Sequence, residues 1–282
     1  MKCLLPKSMV VVAVLFSVGA GAAEILEDRE IAYLQEPYDS EYAETQCKLD
    51  VFYPKDVSGF ATIVWFHGGG LRMGERQWGE LVAERFVPEG IAVVTVSYRF
   101  SPKVRHPVYI EDAAAAIAWT FKNIGKYGGD PEKIFLSGHS AGGYLTLITG
   151  MDKRYLAKHG ISTERLAGLM PISGQTITHS TIRREREIPE GTQMVDEYAA
   201  LYYANEAGPP TLCIVGGDDI PLRSAENAYY VEVQKAAGNE NISFLEVAKR
   251  DHDAIFDNIN QPGDEVASAM SAFMKRALRT KE

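Results

Sequence analysis

Short runs rich in valine, isoleucine and leucine recur along the chain at residues 61–66, 91–96, 134–136, 166–172 and 211–215. Such solid apolar runs, without the in-and-out alternation of a half-solvated strand, are the signature of strands buried on both faces. Between them lie helix-like stretches at residues 77–86, 112–124, 142–149, 224–237 and 264–277. Strand and helix in alternation predict an α/β architecture: a mostly parallel sheet with helices on both faces. Ahead of these, Cys47-Lys48-Leu49-Asp50-Val51-Phe52-Tyr53 alternates and ends at Pro54, which predicts a half-buried antiparallel strand. Asp130-Pro131 reads as the cap and first position of a short turn before the strand at Ile134.

With 282 residues, 46% hydrophobic and 24% charged, the chain fits one large globular domain. Its formal net charge of -9 argues against phosphate backbones and anionic lipid as partners, because those need clustered lysine and arginine. No nucleic-acid role is expected. The N-terminus has the three parts of an export signal: Lys2 and Lys7, an apolar run over residues 9–18, then Ala20-Gly21-Ala22-Ala23. Cleavage after Ala22 or Ala23 is expected, giving a signal peptide at residues 1–23 and a domain at residues 24–282, secreted or periplasmic. The apolar run is about half of the roughly 20 residues that a membrane span needs, so no stable membrane anchoring is expected once the signal is removed. Of three cysteines, Cys3 leaves with the signal. Cys47 and Cys213 each sit in a strand-like stretch, and bridging them would need their Cα atoms within about 7 Å; they are expected to stay unpaired.

The segment Gly138-His139-Ser140-Ala141-Gly142 lies directly after an apolar strand and directly before a helix. A G-x-S-x-G sequence in that setting makes a sharp turn that lifts the serine hydroxyl to the end of the sheet, with the helix N-terminus facing the same point. Ser140 is therefore the candidate nucleophile.

A serine hydroxyl attacks only when a base takes its proton, and with this kind of turn the partners follow in the order serine, acid, histidine. Six histidines are present: His67, His106, His139, His159, His179 and His252. Only His252 lies beyond an acid placed after the later strands. Gly216-Gly217-Asp218-Asp219 follows the apolar strand at residues 211–215, so a carboxylate there emerges at the same sheet edge as Ser140. Asp219 is preferred by its offset from the strand, with Asp218 as the alternative. Asp152 and Asp196 lie in the wrong elements, and Asp251 is too close along the chain to His252 to face its ring.

Acyl transfer also needs donors for a developing oxyanion. His67-Gly68-Gly69-Gly70 follows the strand at residues 61–66, and glycines there leave backbone N–H groups bare. Gly69 is the first candidate, with Gly70 and then Gly68 beside it, and the amide of Ala141 completes the pair. A phosphate cradle would carry Lys-Ser or Lys-Thr after the glycines, and none follows. His67 is read as a brace for this loop. There is no histidine or cysteine cluster at ligand spacing, so no metal and no cofactor is called for.

Three segments together carry a resemblance: His67-Gly68-Gly69-Gly70-Leu71-Arg72-Met73-Gly74, Ser97-Tyr98-Arg99, and Gly138-His139-Ser140-Ala141-Gly142-Gly143. The chain, from about Cys47 onward, resembles the hormone-sensitive-lipase-like esterases, a pattern shared by acetylxylan, feruloyl and related carbohydrate esterases and by arylformamidases. The resemblance implies an α/β-hydrolase sheet of about eight strands, with Cys47 near one edge and Cys213 toward the other. It also implies Ser140, Asp219 and His252 as nucleophile, acid and base, and a small-molecule or carbohydrate ester as substrate. The chain departs from the family where Tyr98-Arg99 continues as Phe100-Ser101-Pro102-Lys103 instead of Leu-Ala-Pro-Glu. Asp251 also precedes the base where glycine is common, and Asp251-His252-Asp253 is similar to the arylformamidase branch. Amide or formamide cleavage is thus the alternative reaction, and a non-catalytic binding protein the alternative class.

Residues 175–207 break the strand–helix rhythm and are expected to form a cap-like insertion. Arg183, Arg184 and Arg186, with Glu185 and Glu187, read as a solvated face; Tyr198, Tyr202 and Tyr203 read as helix packing.

Overall fold

The computed structural model describes residues 23–189 and 191–279. All of the expected signal peptide except Ala23 lies outside the described residues. The strands are β1 (Ile25–Ala32), β2 (Lys48–Pro54), β3 (Phe60–Phe66), β4 (Ala92–Val96), β5 (Gly129–His139), β6 (Gly168–Ile172), β7 (Thr211–Gly216) and β8 (Ile242–Val247). They form one eight-stranded sheet in the order β1-β2-β4-β3-β5-β6-β7-β8. β1 and β2 run antiparallel to each other, β2 runs antiparallel to β4, and the rest of the sheet is parallel. This is the α/β-hydrolase arrangement that the motifs imply.

The helices are α1 (Glu41–Gln46), α2 (Glu80–Phe86), α3 (Val108–Asn123), α4 (Ala141–Met151), α5 (Lys153–Ala157), α6 (Ser180–Glu185), α7 (Arg223–Ala236), α8 (Ala254–Asp257) and α9 (Glu265–Arg279). None of the described helices is long and apolar enough to cross a membrane. Alternate residues of β3 show why the central strands read as unbroken apolar runs. Ile63 and Trp65 join the core layer that contains Phe86 of α2 and Met270 and Phe273 of α9. Val64 and Phe66 join the opposite layer, with Ile117 of α3 and Leu145 and Ile148 of α4. Both faces of the strand are covered, so period two disappears from the sequence. Phe135 of β5 sits edge-on to Phe273, with ring centroids 6.2 Å apart. Truncating such a buried phenyl ring to alanine costs about 3–5 kcal/mol, as lost transfer energy plus cavity.

The two edge strands are the elements that the apolar runs do not announce. β1 is Ile-Leu-Glu-Asp-Arg-Glu-Ile-Ala, partly exposed along its length, and β8 has partly exposed residues through its middle. Cys47 precedes β2 and Cys213 lies in β7, each second from an opposite edge, and both are free and buried. Asp130-Pro131 falls inside β5 as it starts. There the Asp130 carboxylate accepts from the Glu132 amide at 2.9 Å, an Asx turn within the strand entry and not a helical one.

Candidate active site

The turn from β5 to α4 sets the site. Ser140 has φ 55° and ψ -113°, a backbone conformation that a non-glycine residue adopts only under constraint from its surroundings. Its amide donates to the Ile172 carbonyl at 2.8 Å, and its carbonyl accepts from the Tyr144 amide at 3.0 Å as α4 begins. Space is what the second motif glycine supplies: a Cβ at Gly142 would stand 1.9 Å from the Phe66 carbonyl oxygen, so only glycine lets α4 approach the end of β3.

Three side chains converge at the C-terminal ends of parallel strands. His252 Nε2 lies 2.8 Å from Ser140 Oγ, and His252 Nδ1 lies 2.6 Å from Asp219 Oδ1. A carboxylate can only accept, so Nδ1 carries the imidazole proton, which leaves Nε2 to accept from the serine hydroxyl. Burial works to raise the Asp219 carboxyl. Hydrogen bonds from His252 and from the Ser173 hydroxyl outweigh it, and the group is held below its ordinary value. Asp218 does not take part: it is exposed, and its amide donates to the Arg250 carbonyl at 3.0 Å. Asp251 turns away from the ring to accept from the amides of Asp253 (3.2 Å) and Ala254 (2.8 Å) at the start of α8.

The other histidines near the site are structural. His67 is buried and donates from Nδ1 to the Gly68 carbonyl at 2.7 Å, and burial lowers its pKa to about 4, so the ring is neutral. Tyr98 stacks on it at 4.4 Å and donates its hydroxyl to the His67 carbonyl at 2.8 Å. Arg99, next in sequence, is fixed to Asp112 by bonds of 2.9 Å and 2.7 Å. Tyr98 thus braces the glycine loop, and Arg99 anchors the segment that carries it. His179 is buried too, and its Nδ1 accepts from the Thr181 amide at 3.1 Å at the start of α6.

In the glycine loop, two carbonyls are already taken within the loop. That of Gly68 accepts from His67, and that of Gly69 accepts from the Arg72 and Met73 amides at 3.1 Å and 3.2 Å. Across a planar trans peptide the next N–H points the opposite way, so the amides of Gly69 and Gly70 face outward from the loop. Gly69 has φ +99°, and a Cβ there would stand 2.1 Å from the Met73 carbonyl oxygen. Gly68 is the loop residue that adjoins Ser140: a Cβ on it would lie 3.5 Å from Ser140 Cβ and 3.2 Å from His139 Nδ1. The Ala141 amide is the first of α4 and has no acceptor within the helix.

The cap-like segment touches this loop, since Thr181 Oγ1 donates to the Gly70 carbonyl at 2.5 Å. The Tyr144 hydroxyl donates to the Tyr198 carbonyl at 2.8 Å and ties the segment to α4. Arg183 is buried and bonds the Thr192 carbonyl, and Arg186 pairs with Asp196 at 2.5 Å. The arginine run is therefore part of the segment's internal scaffold at Arg183, where the charge pattern alone suggests a solvated face. Tyr198 and Tyr203 pack on the core and Tyr202 is exposed, in and before a short 3-10 turn at Ala200–Tyr203. A cavity of about 560 Å³ is lined by Gly68 and His139 together with His67, Trp78, Asp253 and Phe256.

Two residues in contact with the site have no motif to signal them. Ser173 follows the end of β6 and Arg223 starts α7, and only the folded sheet brings them beside Asp219. Among the described residues, no group of three or more histidine, cysteine, aspartate or glutamate side chains is arranged to hold a metal ion.

A family model described as alpha/beta hydrolase fold matches residues 63–255. The chain is 35% identical over 122 residues to a probable isoprenylcysteine alpha-carbonyl methylesterase of Oryza sativa subsp. japonica, covering 43% of this chain and 27% of that protein. It is 28% identical over 233 residues to Esterase LipC of Mycobacterium tuberculosis, covering 72% of this chain and 56% of that protein. The chain thus spans about a quarter to about half of the length of these relatives. Among solved structures, a thermophilic esterase from Thermogutta terrifontis superposes with a TM-score of 0.72 at 22% identity, covering 90% of this chain and 92% of that one.

Proposed function

Since the chain belongs to the α/β-hydrolase family, we propose that it is a serine carboxylesterase that cleaves esters of small or carbohydrate-linked acyl groups. One observation carries the reading: the unbroken hydrogen-bond path from Asp219 through His252 to Ser140 Oγ, at 2.6 Å and 2.8 Å. The esterase names of the relatives and the two glycine motifs support the ester as the bond cleaved. The signal-like N-terminus supports export.

In this reading Ser140 Oγ attacks the ester carbonyl while its proton passes to His252 Nε2. The tetrahedral oxyanion is met by the amides of Gly69 and Ala141, with Gly70 or Gly68 as a further donor, each worth roughly 10²- to 10³-fold in rate. Asp219 holds the imidazole in one tautomer and stabilises its charged form. Collapse expels the alcohol, which takes the proton from Nε2. Water, deprotonated by the same nitrogen, then releases the acid from the acyl-enzyme. No step calls for a cofactor.

The test is Ser140→Ala, which should lower turnover of a short-chain nitrophenyl ester by about 10⁴- to 10⁶-fold and abolish labelling by a fluorophosphonate probe. Retained activity in the folded variant would sink the proposal. A panel of acetyl, butyryl and feruloyl esters beside a formyl anilide identifies the acyl group, and preference for the anilide would move the reading to amide cleavage.

A further inference from the structure

We infer that Ser173 is a positioning residue for the triad acid: its hydroxyl fixes the carboxylate oxygen of Asp219 that His252 does not use. The inference rests on the roles of Ser140, His252 and Asp219 proposed above. Asp219 Oδ1 takes His252 Nδ1 at 2.6 Å and the Ile220 amide at 2.7 Å. Oδ2 takes the Ser173 hydroxyl and, at 3.4 Å, the Gly216 amide. Because the carboxylate can only accept, the serine is the donor in this pair. Without it, an oxygen of an almost fully buried side chain keeps one long amide contact, and the carboxylate loses a restraint on turning about its bond to Cβ.

The backbone around Ser173 is held on every side. Its amide donates to the Ile214 carbonyl at 2.7 Å, and its carbonyl accepts from Arg223 Nη1. Arg223 is buried, with Nε paired to Glu226 at 2.7 Å, and the carbonyl of Gly174 accepts from Asn227 at 2.9 Å. The first turn of α7 therefore clamps the end of β6. Burial pushes the Glu226 carboxyl up and the Arg223 guanidinium down, and their ion pair works against both shifts. Ser173 itself has φ +50°, where glycine is favoured and other residues are costly. Glycine occurs one position later, at 174, and not at 173. A serine in a backbone position suited to glycine points to a duty of the side chain, and the hydrogen bond that side chain makes is to Asp219.

Two variants separate the side chain from the backbone. Ser173→Gly eases the backbone and removes the whole hydroxymethyl group; Ser173→Ala removes the hydroxyl alone and keeps the strain. Both should lower kcat for a nitrophenyl ester about 10- to 100-fold with KM nearly unchanged, and slow fluorophosphonate labelling of Ser140 in step. The thermal midpoint of Ser173→Gly should not fall. Wild-type kcat in Ser173→Gly would overturn the inference, and the same result in Ser173→Ala overturns it if the glycine variant fails to fold. Ser140→Ala is measured alongside. If it stays active the triad reading falls, whereas an inactive Ser140→Ala beside an unaltered Ser173→Gly removes only the role of Ser173.

Discussion

His139 donates from Nε2 to the backbone carbonyl of His252 at 2.7 Å, so the residue just before Ser140 holds the chain at His252. Its ring also stacks on Phe256 of α8 at 5.5 Å and 13°. Burial, with the nearby His252, lowers its pKa to about 4, which keeps the ring neutral. His139→Phe preserves the stack and removes the donor. The expected result is a fall in kcat/KM of about tenfold, the scale of one hydrogen bond, seen by steady-state kinetics. His139→Gln, which retains an N–H donor, should lose less.

Asp219 and Asp218 are neighbours with different surroundings, and a paired substitution separates them. Asp219→Asn leaves the side-chain shape intact but favours the wrong imidazole tautomer, and kcat should drop by about 10⁴-fold. Asp218→Asn, at an exposed position, should stay within about twofold of wild type. The reverse pattern would move the acid to Asp218.

Gly69→Ala places a Cβ against the Met73 carbonyl and demands φ +99° of alanine. The loop must shift, and the outward amides shift with it. Turnover should fall about 10²- to 10³-fold with the sheet still folded, checked by far-ultraviolet circular dichroism beside the kinetics. Gly142→Ala meets the buried Phe66 carbonyl at the end of β3, and its expected outcome is loss of soluble folded protein.

Folding stability should fall in acid from the buried imidazoles. His67 and His139 have pKa values lowered to about 4, and His179 to about 3, each chiefly by burial. These folded values lie below the unfolded value of about 6.5. The stability they contribute is therefore present above pH 6.5 and is lost as pH falls toward 4, because the unfolded chain takes up the protons. Asp50 opposes this: burial raises its carboxyl to about 7, so its contribution is present below the unfolded carboxylate value of about 4 and lost as pH rises through 7. Urea midpoints measured from pH 7.5 to 4.5 should decline, and Asp50→Asn should make the decline steeper.

Motif and order carry much of the site. Ser140, His252 and the glycine loop are placed by chain grammar: a strand, a turn with no room for side chains, a helix, and a histidine after the last candidate acid. The choice of Asp219 over Asp218 needs the turn geometry, since both follow β7 and only the folded turn aims one of them at the ring. Ser173 is not legible, because nothing in a serine after a strand says that its hydroxyl will meet a carboxylate 46 residues on. The edge strands β1 and β8 are hidden for a different reason: strands covered on one side only keep charged residues such as Glu27, Asp28 and Glu246, and their apolar content is too thin to stand out. Arg183 departs from its charge pattern because such patterns report solvation on average, while its burial depends on the path of the chain at Thr192 beside it.

Ser140 follows β5, Asp219 follows β7, and His252 follows β8, one of the two edge strands. His252 is delivered by a strand that has a neighbour on one side only, 112 residues along the chain from Ser140. Reactivity of the serine is consequently a late signal of assembly. During refolding from urea of a variant with Trp78 and Trp119 replaced by phenylalanine, fluorescence from Trp65 in the sheet centre should recover first, and capture of a fluorophosphonate should follow once the outer strand has docked.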